Sequence, residues 1–448
     1  MKNTPRNLSV RILNRVERGR AFAQPLLDSY LSKNIPASTQ DRGLLTTLVY
    51  GTLRYRNRLD WVIRSVYNGN FDNMETGMLN ILRVALYQIL FTDRVPTYAA
   101  TDEAVQMTKT MYPGRSNLVN ALLRNAARKM NAIQYPLFDE DPLLHVSVAH
   151  SHPLWIVKMW AEQLGVEETH ALCRSNNEIP PFTIRANRLK TTRPDLIGML
   201  AECGCGASPS PYSPSGIELV NPPVPVNRMR LYEEGYFQIQ DEASQLISLL
   251  LDPKPGEMVL DICAGAGVKT THMAELMQNR GRIVAGDLHR NKIATSRIMA
   301  RRLGSKIIEP MVHDATKDPR ADLREMFDRV LVDAPCSGMG TLRRNPEIRW
   351  HSTPESLKAF PPLQKAILRH SASCVKKGGT MVYATCTISS DENEAVVREF
   401  LSTHPDFEYA RPTAFAAGML DTDGMFRTFP HRHGTDGFFG VAFQRKGE

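Results

Sequence analysis

No uninterrupted apolar run in the sequence approaches the roughly 18–20 residues that cross a bilayer, so a membrane-spanning protein is excluded. A secretory h-region is also missing. Cysteine is sparse: Cys173, Cys203, Cys205, Cys263, Cys336, Cys374 and Cys386 are odd in number and scattered, which argues against a disulfide framework and for a reduced, cytoplasmic protein. Cys203-Gly-Cys205 lacks the second ligand pair that structural zinc requires, so no metal is expected. No internal repeat is present. What remains is an ordinary globular composition, 42% hydrophobic and 23% charged over 448 residues, long enough for about three domains.

Acidic residues are scarce in one region only. Residues 1–134 carry 19 Lys and Arg against 9 Asp and Glu, while the rest carries 36 against 38. All the excess of +8 therefore lies in the first third, as expected of a module that engages phosphates. The first sixteen residues are acid-free and contain Arg, the composition of a transit peptide, but the spacing of Val10, Leu13 and Val16 predicts a surface helix. Leu79, Leu82, Leu86 and Ile89, then Val105 through Leu122, recur at helical spacing, so 1–134 reads as all-helical. Pro136, Pro142 and Pro153 interrupt it, and a mixed segment follows to about residue 232, with a short strand at Phe182–Arg185 and a Pro/Ser/Gly-rich loop from Gly204 to Pro225. From residue 233, strand candidates at Met258–Ile262, Arg282–Gly286, Lys306–Val312, Arg329–Val332 and Thr380–Thr385 alternate with helical stretches, the pattern of a parallel sheet with crossover helices. The division is thus 1–134, 135–232 and 233–448.

The first of those strands runs into Cys263-Ala264-Gly265-Ala266-Gly267-Val268-Lys269-Thr270. Two glycines spaced i and i+2 let backbone turn sharply and approach a ligand, with a helix N-terminus behind them. Asp287, twenty residues after Gly267, ends the next strand, where a carboxylate can hold ribose hydroxyls, and Asp314 follows the strand after that. A third glycine for pyrophosphate is absent, since Thr270 stands there. A cofactor with ribose and adenine but no pyrophosphate, S-adenosyl-L-methionine, fits better than a dinucleotide.

Two further strands end in cysteine motifs, Asp333-Ala334-Pro335-Cys336-Ser337-Gly338 and Tyr383-Ala384-Thr385-Cys386-Thr387. Ligands of an open parallel sheet bind beyond such carboxyl ends. A thiol and an acid beside a methyl donor are what methylation of pyrimidine C5 requires. That carbon is a poor nucleophile until a thiolate adds to C6 and turns the ring into an enamine.

These motifs, together with Gln240-Asp241-Glu242-Ala243-Ser244 and Asp391-Glu392-Asn393-Glu394, resemble those of RNA cytosine-C5 methyltransferases. Leu48-Val49-Tyr50-Gly51-Thr52-Leu53-Arg54, Asp93-Arg94-Val95-Pro96 and Asn120-Ala121-Leu122-Leu123-Arg124 resemble the NusB-type RNA-binding domain of its bacterial 16S rRNA members, and the likeness covers nearly the whole chain. It implies an all-α NusB-like domain, a small α+β RRM-like segment around Arg185-Ala186-Asn187-Arg188, and a Rossmann-like methyltransferase domain. It further implies that Cys386 is the nucleophile, that Cys336 assists release, and that Asp333 contacts cytosine. Cys263, Ala264, Gly265, Ala266, Gly267, Val268, Lys269, Asp287, Asp314 and Asp333 would bind S-adenosyl-L-methionine. The implied partner is 16S rRNA in a small-subunit precursor, with no membrane and a monomeric enzyme. The family loop reads Cys-Ala-Ala-Pro-Gly-Gly-Lys-Thr, whereas Gly265, Ala266 and Val268 replace its second Ala, Pro and second Gly. Val268 resists positive φ, so it should be extended or the loop displaced. Arg343 to Trp350, after the catalytic loop, offers guanidinium groups for phosphates and an indole for stacking.

Three rival readings are weaker. A DNA cytosine methyltransferase would show Glu-Asn-Val, but Glu392-Asn393 continues with Glu394. An amino-group methyltransferase would need an aromatic after Asn221-Pro222-Pro223, where Val224 stands. A catalytically weakened NusB-like assembly factor would not need Cys386, Cys336, Asp333 and Lys269. Another RNA, such as tRNA, is the alternative substrate.

Overall fold

The computed structural model describes residues 3–33, 35, 38–93, 95–410 and 419–447. The chain forms two compact units, Met1–Glu178 with Leu342–Thr353, and Ile179–Thr341 with Pro354–Glu448.

The first unit is helical. Its opening helix, Pro5–Gly19, starts where Thr4 accepts a hydrogen bond from the Asn7 amide and Pro5 presets the first turn. Val10, Leu13 and Val16 are buried as the spacing predicts. Helix Thr76–Phe91 is enclosed on nearly every side, with Ile81, Leu82, Ala85 and Leu86 in the core. Each of the buried Ile and Leu side chains contributes roughly 1.5–3 kcal/mol of apolar burial. One charge enters with them: buried Arg83 is held by Glu17 at 2.7 Å and Asp60 at 2.6 Å, which offsets its desolvation.

The segment Leu342–Thr353 belongs to this unit although the chain reaches it from the other. Fully buried Arg349 donates to Ser151 O at 3.1 Å, Asn177 Oδ1 at 3.0 Å and Asn176 O at 3.3 Å, and burial lowers its pKa to about 9. Trp350 Nε1 donates to Leu53 O at 2.7 Å, and Glu347 Oε1 accepts from the Ala23 amide at 2.7 Å. The reading of Arg343–Trp350 as a phosphate-contacting loop is thereby corrected. Arg343 and Arg349 are buried, and the indole N–H is spent on backbone. A basic, aromatic stretch has the same composition whether it faces RNA or fills a protein interior.

The second unit holds two sheets. Strands β1 (Phe182–Ala186), β2 (Gly206–Pro209), β3 (Gly216–Val220) and β4 (Phe237–Ile239) form an antiparallel sheet in the order β2-β3-β1-β4, with helix Arg193–Glu202 after β1 and Arg230–Glu233 before β4. This is the ferredoxin-like βαββαβ arrangement. The stretch read as a Pro/Ser/Gly-rich loop, Gly204 to Pro225, in fact contains β2 and β3. The β2 strand is an edge carrying no β-branched residue, which hides it from pattern reading.

The larger sheet contains β5 (Met258–Asp261), β6 (Arg282–Asp287), β7 (Ile308–Val312), β8 (Phe327–Asp333), β9 (Val375–Thr385), β10 (Phe407–Tyr409), β11 (Phe426–Arg427) and β12 (Phe439–Arg445). Its order is β10-β12-β9-β8-β5-β6-β7, with β11 paired to β12. Strands β5 to β9 are parallel, matching the five predicted strands, whereas β10, β11 and β12 pair antiparallel, so the sheet is mixed. From β5 the chain moves outward through β6 and β7, then restarts on the other side with β8 and β9. The β5/β8 boundary is therefore a topological switch point, where the crevice of such a sheet opens.

Candidate active site

The loop after β5 lies at that boundary. The Ala264 amide donates to Gly286 O at 2.8 Å and the Gly267 amide to Ala264 O at 2.9 Å, closing a tight turn around Gly265 and Ala266. Gly265 has φ +58° and Gly267 φ +89°. A Cβ on Gly267 would lie 2.4 Å from Ser296 Oγ, so that position requires glycine. Val268 is not extended; it opens helix Val268–Leu276 behind Gly267, and the positive φ values fall on the two glycines. The substituted loop therefore keeps a compact turn without straining a β-branched residue.

Carboxylates surround the turn. Asp287, at the end of β6, accepts from the Gly265 amide at 3.0 Å through one oxygen and from the His289 amide at 2.8 Å through the other. Two of its roughly four lone-pair sites stay open for hydroxyls. A Cβ on Gly265 would meet nothing within 4 Å, so the turn faces open space. These features fit a ribose-bearing cofactor. Asp314 stands just past β7, where the His313 amide donates to Asp287 O at 3.1 Å. One of its oxygens, Oδ1, accepts from Thr316 Oγ1 at 2.6 Å and Thr316 N at 3.0 Å, which lowers its pKa. Cys263 is half-buried at the base of the loop, and burial pushes its thiol well up.

Asp261, at the end of β5, is buried, with Oδ2 accepting from Thr270 Oγ1 at 2.6 Å and Oδ1 without a partner. Burial raises its pKa from 3.8 to about 7, more than the Thr270 hydrogen bond lowers it. The folded state therefore binds a proton that the unfolded chain has released. Its contribution to stability is complete below the ordinary aspartate value and declines as pH rises toward 7, by up to about 1.4 kcal/mol per pH unit. Asp261→Asn is expected to flatten that slope. Urea unfolding from about pH 4 to pH 8 measures it, and a slope unchanged in the variant would refute the assignment.

At the other side of the switch point, β8 ends in Asp333 and β9 in Thr385. The Ala334 amide donates to Ala384 O at 2.9 Å and the Gly340 amide to Cys386 O at 3.0 Å, lacing the two loops together. Gly340 is required there, because its Cβ would fall 1.8 Å from Gly437 O. Cys336 Sγ and Cys386 Sγ lie 3.3 Å apart. The hydrogen bond to Cys386, then burial, holds the Cys336 thiol well above its ordinary pKa. Lys269 Nζ sits 2.5 Å from Asp333 Oδ2 and 5.3 Å from the Phe438 ring centroid. Burial works against its charge, but Asp333, followed by Cys386, raises its pKa. The structure thus brings together Lys269, Asp333, Cys336 and Cys386, and joins Asp287 to the glycine turn.

Sequence reading gave no role to the acid that organises both cysteine loops. Buried Glu392 accepts from the Ser337 amide at 2.9 Å, Ser337 Oγ at 2.5 Å, Gln364 Nε2 at 2.9 Å and Thr387 Oγ1 at 3.4 Å. Asn393 accepts from Thr385 Oγ1 at 2.6 Å and donates to Thr387 O at 3.0 Å. The neighbours of each cysteine are therefore tied to one dipeptide. The motif Asp391–Glu394 was visible in the sequence, but nothing in it shows that two loops meet there.

Comparison with known proteins matches three segments to family models: the NusB family over residues 3–128, the RsmF/B-like ferredoxin-like domain over 152–227, and 16S rRNA methyltransferase RsmB/F over 248–444. A probable ribosomal RNA small subunit methyltransferase B of Bacillus subtilis is 36% identical over 100% of both chains. The chain belongs to the RsmB family. A second probable member, from Synechocystis, is 34% identical over 97% of this chain and 98% of its own. One crystal structure matches with a TM-score of 0.82 at 30% identity, covering 99% of each chain. A methyltransferase homologue from Pyrococcus horikoshii reaches 0.60 at 27% identity, covering 68% of this chain and 99% of its own. As an RsmB-family methyltransferase the protein uses S-adenosyl-L-methionine. Among the described residues no helix is long and apolar enough to cross a membrane, and no cluster of His, Cys, Asp and Glu could hold a metal.

Proposed function

We propose that the protein methylates C5 of a cytosine in 16S rRNA of the small ribosomal subunit through a covalent bond between Cys386 and C6. The observation carrying this reading is the pair of thiols, Cys336 Sγ 3.3 Å from Cys386 Sγ, at the ends of adjacent parallel strands. The names of the full-length relatives support the substrate.

Cys386 is the nucleophile. Its sulfur adds to C6, and the ring's electron pair shifts toward the N3 edge and makes C5 nucleophilic. Asp333 accepts from the exocyclic amine and orients the ring, while Lys269, 2.5 Å from Asp333 Oδ2, supplies the positive charge that offsets the negative charge developing toward N3 during addition. Bound S-adenosyl-L-methionine supplies an electrophilic methyl group, and Cys263 to Lys269, Asp287 and Asp314 are the residues that hold it. Once C5 carries the methyl, a base removes the C5 proton, the C5–C6 double bond re-forms, and the C6–S bond breaks. Cys336, kept as a thiol by its hydrogen bond and its burial, donates to the departing Cys386 sulfur and so assists release. Glu392 and Asn393 are positioning residues that set the distance between the two sulfurs. In this reading 1–134 is the NusB-like RNA-binding domain, 135–232 a linker and RRM-like segment, and 233–448 the catalytic domain, whose segment Leu342–Thr353 packs within the helical unit.

The test is transfer of labelled methyl from S-adenosyl-L-methionine to unmodified small-subunit rRNA, with bisulfite mapping of the product. One protected cytosine is expected; label at any atom other than cytosine C5 would overturn the chemistry.

A further inference from the structure

The cysteines of the chain are all free thiols, and their surroundings divide them. Cys173, Cys205 and Cys374 are buried, Cys203 is exposed, and Cys263, Cys336 and Cys386 are half-buried. Among the described residues, only Cys336 and Cys386 bring two sulfurs into contact, at 3.3 Å. A disulfide holds its sulfurs about 2.05 Å apart, so roughly 1.2 Å of approach separates this pair from a bond.

The backbone already sets the two side chains facing each other. Ser337 Oγ and Thr387 Oγ1, each on the residue following one of the cysteines, lie 2.9 Å apart, and both donate to Glu392 Oε1, at 2.5 Å and 3.4 Å. The Gly340 amide donates to Cys386 O at 3.0 Å. With both loops tied beside the sulfurs, side-chain rotation is the movement that closes the gap. Methyl transfer uses the two sulfurs in separate steps and returns both as thiols at the end of each cycle. Between cycles, with no pyrimidine bonded to Cys386, each sulfur has the other as its neighbour.

We propose that Cys336 and Cys386 form an oxidation site for hydroperoxides, which join them in a reversible disulfide that switches methyl transfer off. The attacking species is the thiolate, and the Lys269 ammonium interacts favourably with an anionic Cys386 sulfur. That sulfur attacks a peroxide oxygen, the O–O bond breaks, and Cys386 becomes a sulfenic acid while hydrogen peroxide yields its first water. The Cys336 sulfur then attacks the Cys386 sulfur, the S–O bond breaks, and the Cys336 proton leaves with the oxygen as a second water. The two thiols lose two electrons and the peroxide gains them. A dithiol reductant reverses the bond through a mixed disulfide, restoring both thiols and becoming oxidised itself. Capture by Cys336 also keeps Cys386 from advancing to the irreversible sulfinic and sulfonic acids. The loss of methyl transfer rests on the covalent role given to Cys386, whereas formation of the bond does not.

The experiment exposes the reduced full chain to hydrogen peroxide, alkylates the remaining thiols and maps the peptides by mass spectrometry. Methyl transfer is measured before oxidation, after it, and after dithiothreitol. A cross-linked Cys336–Cys386 peptide is expected, with activity falling by about tenfold or more and returning on reduction. Cys203→Ser, which removes the exposed thiol, should respond as wild type does. Cys336→Ser should form no cross-link, and its Cys386 should advance to sulfinic and sulfonic acids that dithiothreitol does not restore. Both thiols still open to alkylation after peroxide, a wild-type loss that dithiothreitol does not reverse, or undiminished transfer by the cross-linked chain would overturn the proposal. A reversible cross-link in a protein that transfers no methyl to cytosine C5 would keep the oxidation site and remove the catalytic reading. C5 transfer by a chain that peroxide never cross-links would do the reverse.

Discussion

Cys386→Ala should lose methyl transfer by roughly 10⁴-fold or more, because without the sulfur no covalent step remains to activate C5. The thiols sit 3.3 Å apart, so it is natural to ask whether Cys336 could substitute. Its hydrogen bond to Cys386 and its burial hold it protonated, and a thiol adds poorly to C6. Cys336→Ala should differ in kind. Addition and methylation proceed once, release slows, and a protein–RNA adduct builds up that survives denaturing electrophoresis. The double variant Cys336→Ala/Cys386→Ala should form none. Substantial turnover in Cys386→Ala, or an adduct in the double variant, would reverse the roles assigned to the two sulfurs.

The largest expected loss of stability lies elsewhere in the catalytic unit. Arg185 on β1 and Glu275 on the helix behind the glycine turn are both fully buried, 2.7 Å apart. The guanidinium also donates to Gln240, to Thr271 Oγ1 at 3.2 Å and to Val268 O at 3.1 Å. Arg185→Met strips a buried carboxylate of its ion-pair partner and leaves only the Arg188 backbone amide and the more distant Arg188 charge to offset it, at a cost of about 3–5 kcal/mol. Arg185→Met/Glu275→Leu removes both charges and should recover most of that loss, since apolar replacement of a whole buried pair is often neutral. Denaturant midpoints of the catalytic unit test this. A single variant as stable as wild type, or a double variant no better than the single, would contradict it. Because Val268 opens the helix that follows Gly267, the single variant should also bind S-adenosyl-L-methionine more weakly.

Much of the candidate site was legible at strand ends. Buried parallel strands announce themselves as apolar runs, and the residues just beyond them, Gly265, Gly267, Asp287, Asp333, Cys336 and Cys386, follow from the rule that such sheets bind ligands at their carboxyl ends. What escaped detection depends on partners distant in sequence. Arg185 and Glu275 are 90 positions apart, and neither looks unusual alone. Glu392 organises two loops only because β8 and β9 are neighbours. The antiparallel strands β10 and β11 went unread because strands of three and two residues carry little periodicity, and β12, buried between β10 and β9, shows no in–out alternation over its first five residues. Arg343–Trp350 misled for a different reason: arginine and tryptophan serve both RNA surfaces and protein interiors, and only their surroundings distinguish the two.

The excursion of Leu342–Thr353 has a consequence for how the chain is made. Glu347, Arg349 and Trp350 complete the interior of a helical body whose other members all precede residue 179. On the ribosome that body must wait, incomplete, while about 160 residues of the neighbouring unit are synthesised. The polypeptide also crosses between the units at three places, after 178, 341 and 353. No single cleavage can separate them cleanly, and a truncation ending near residue 178 would expose the surfaces that Arg349 and Trp350 normally cover.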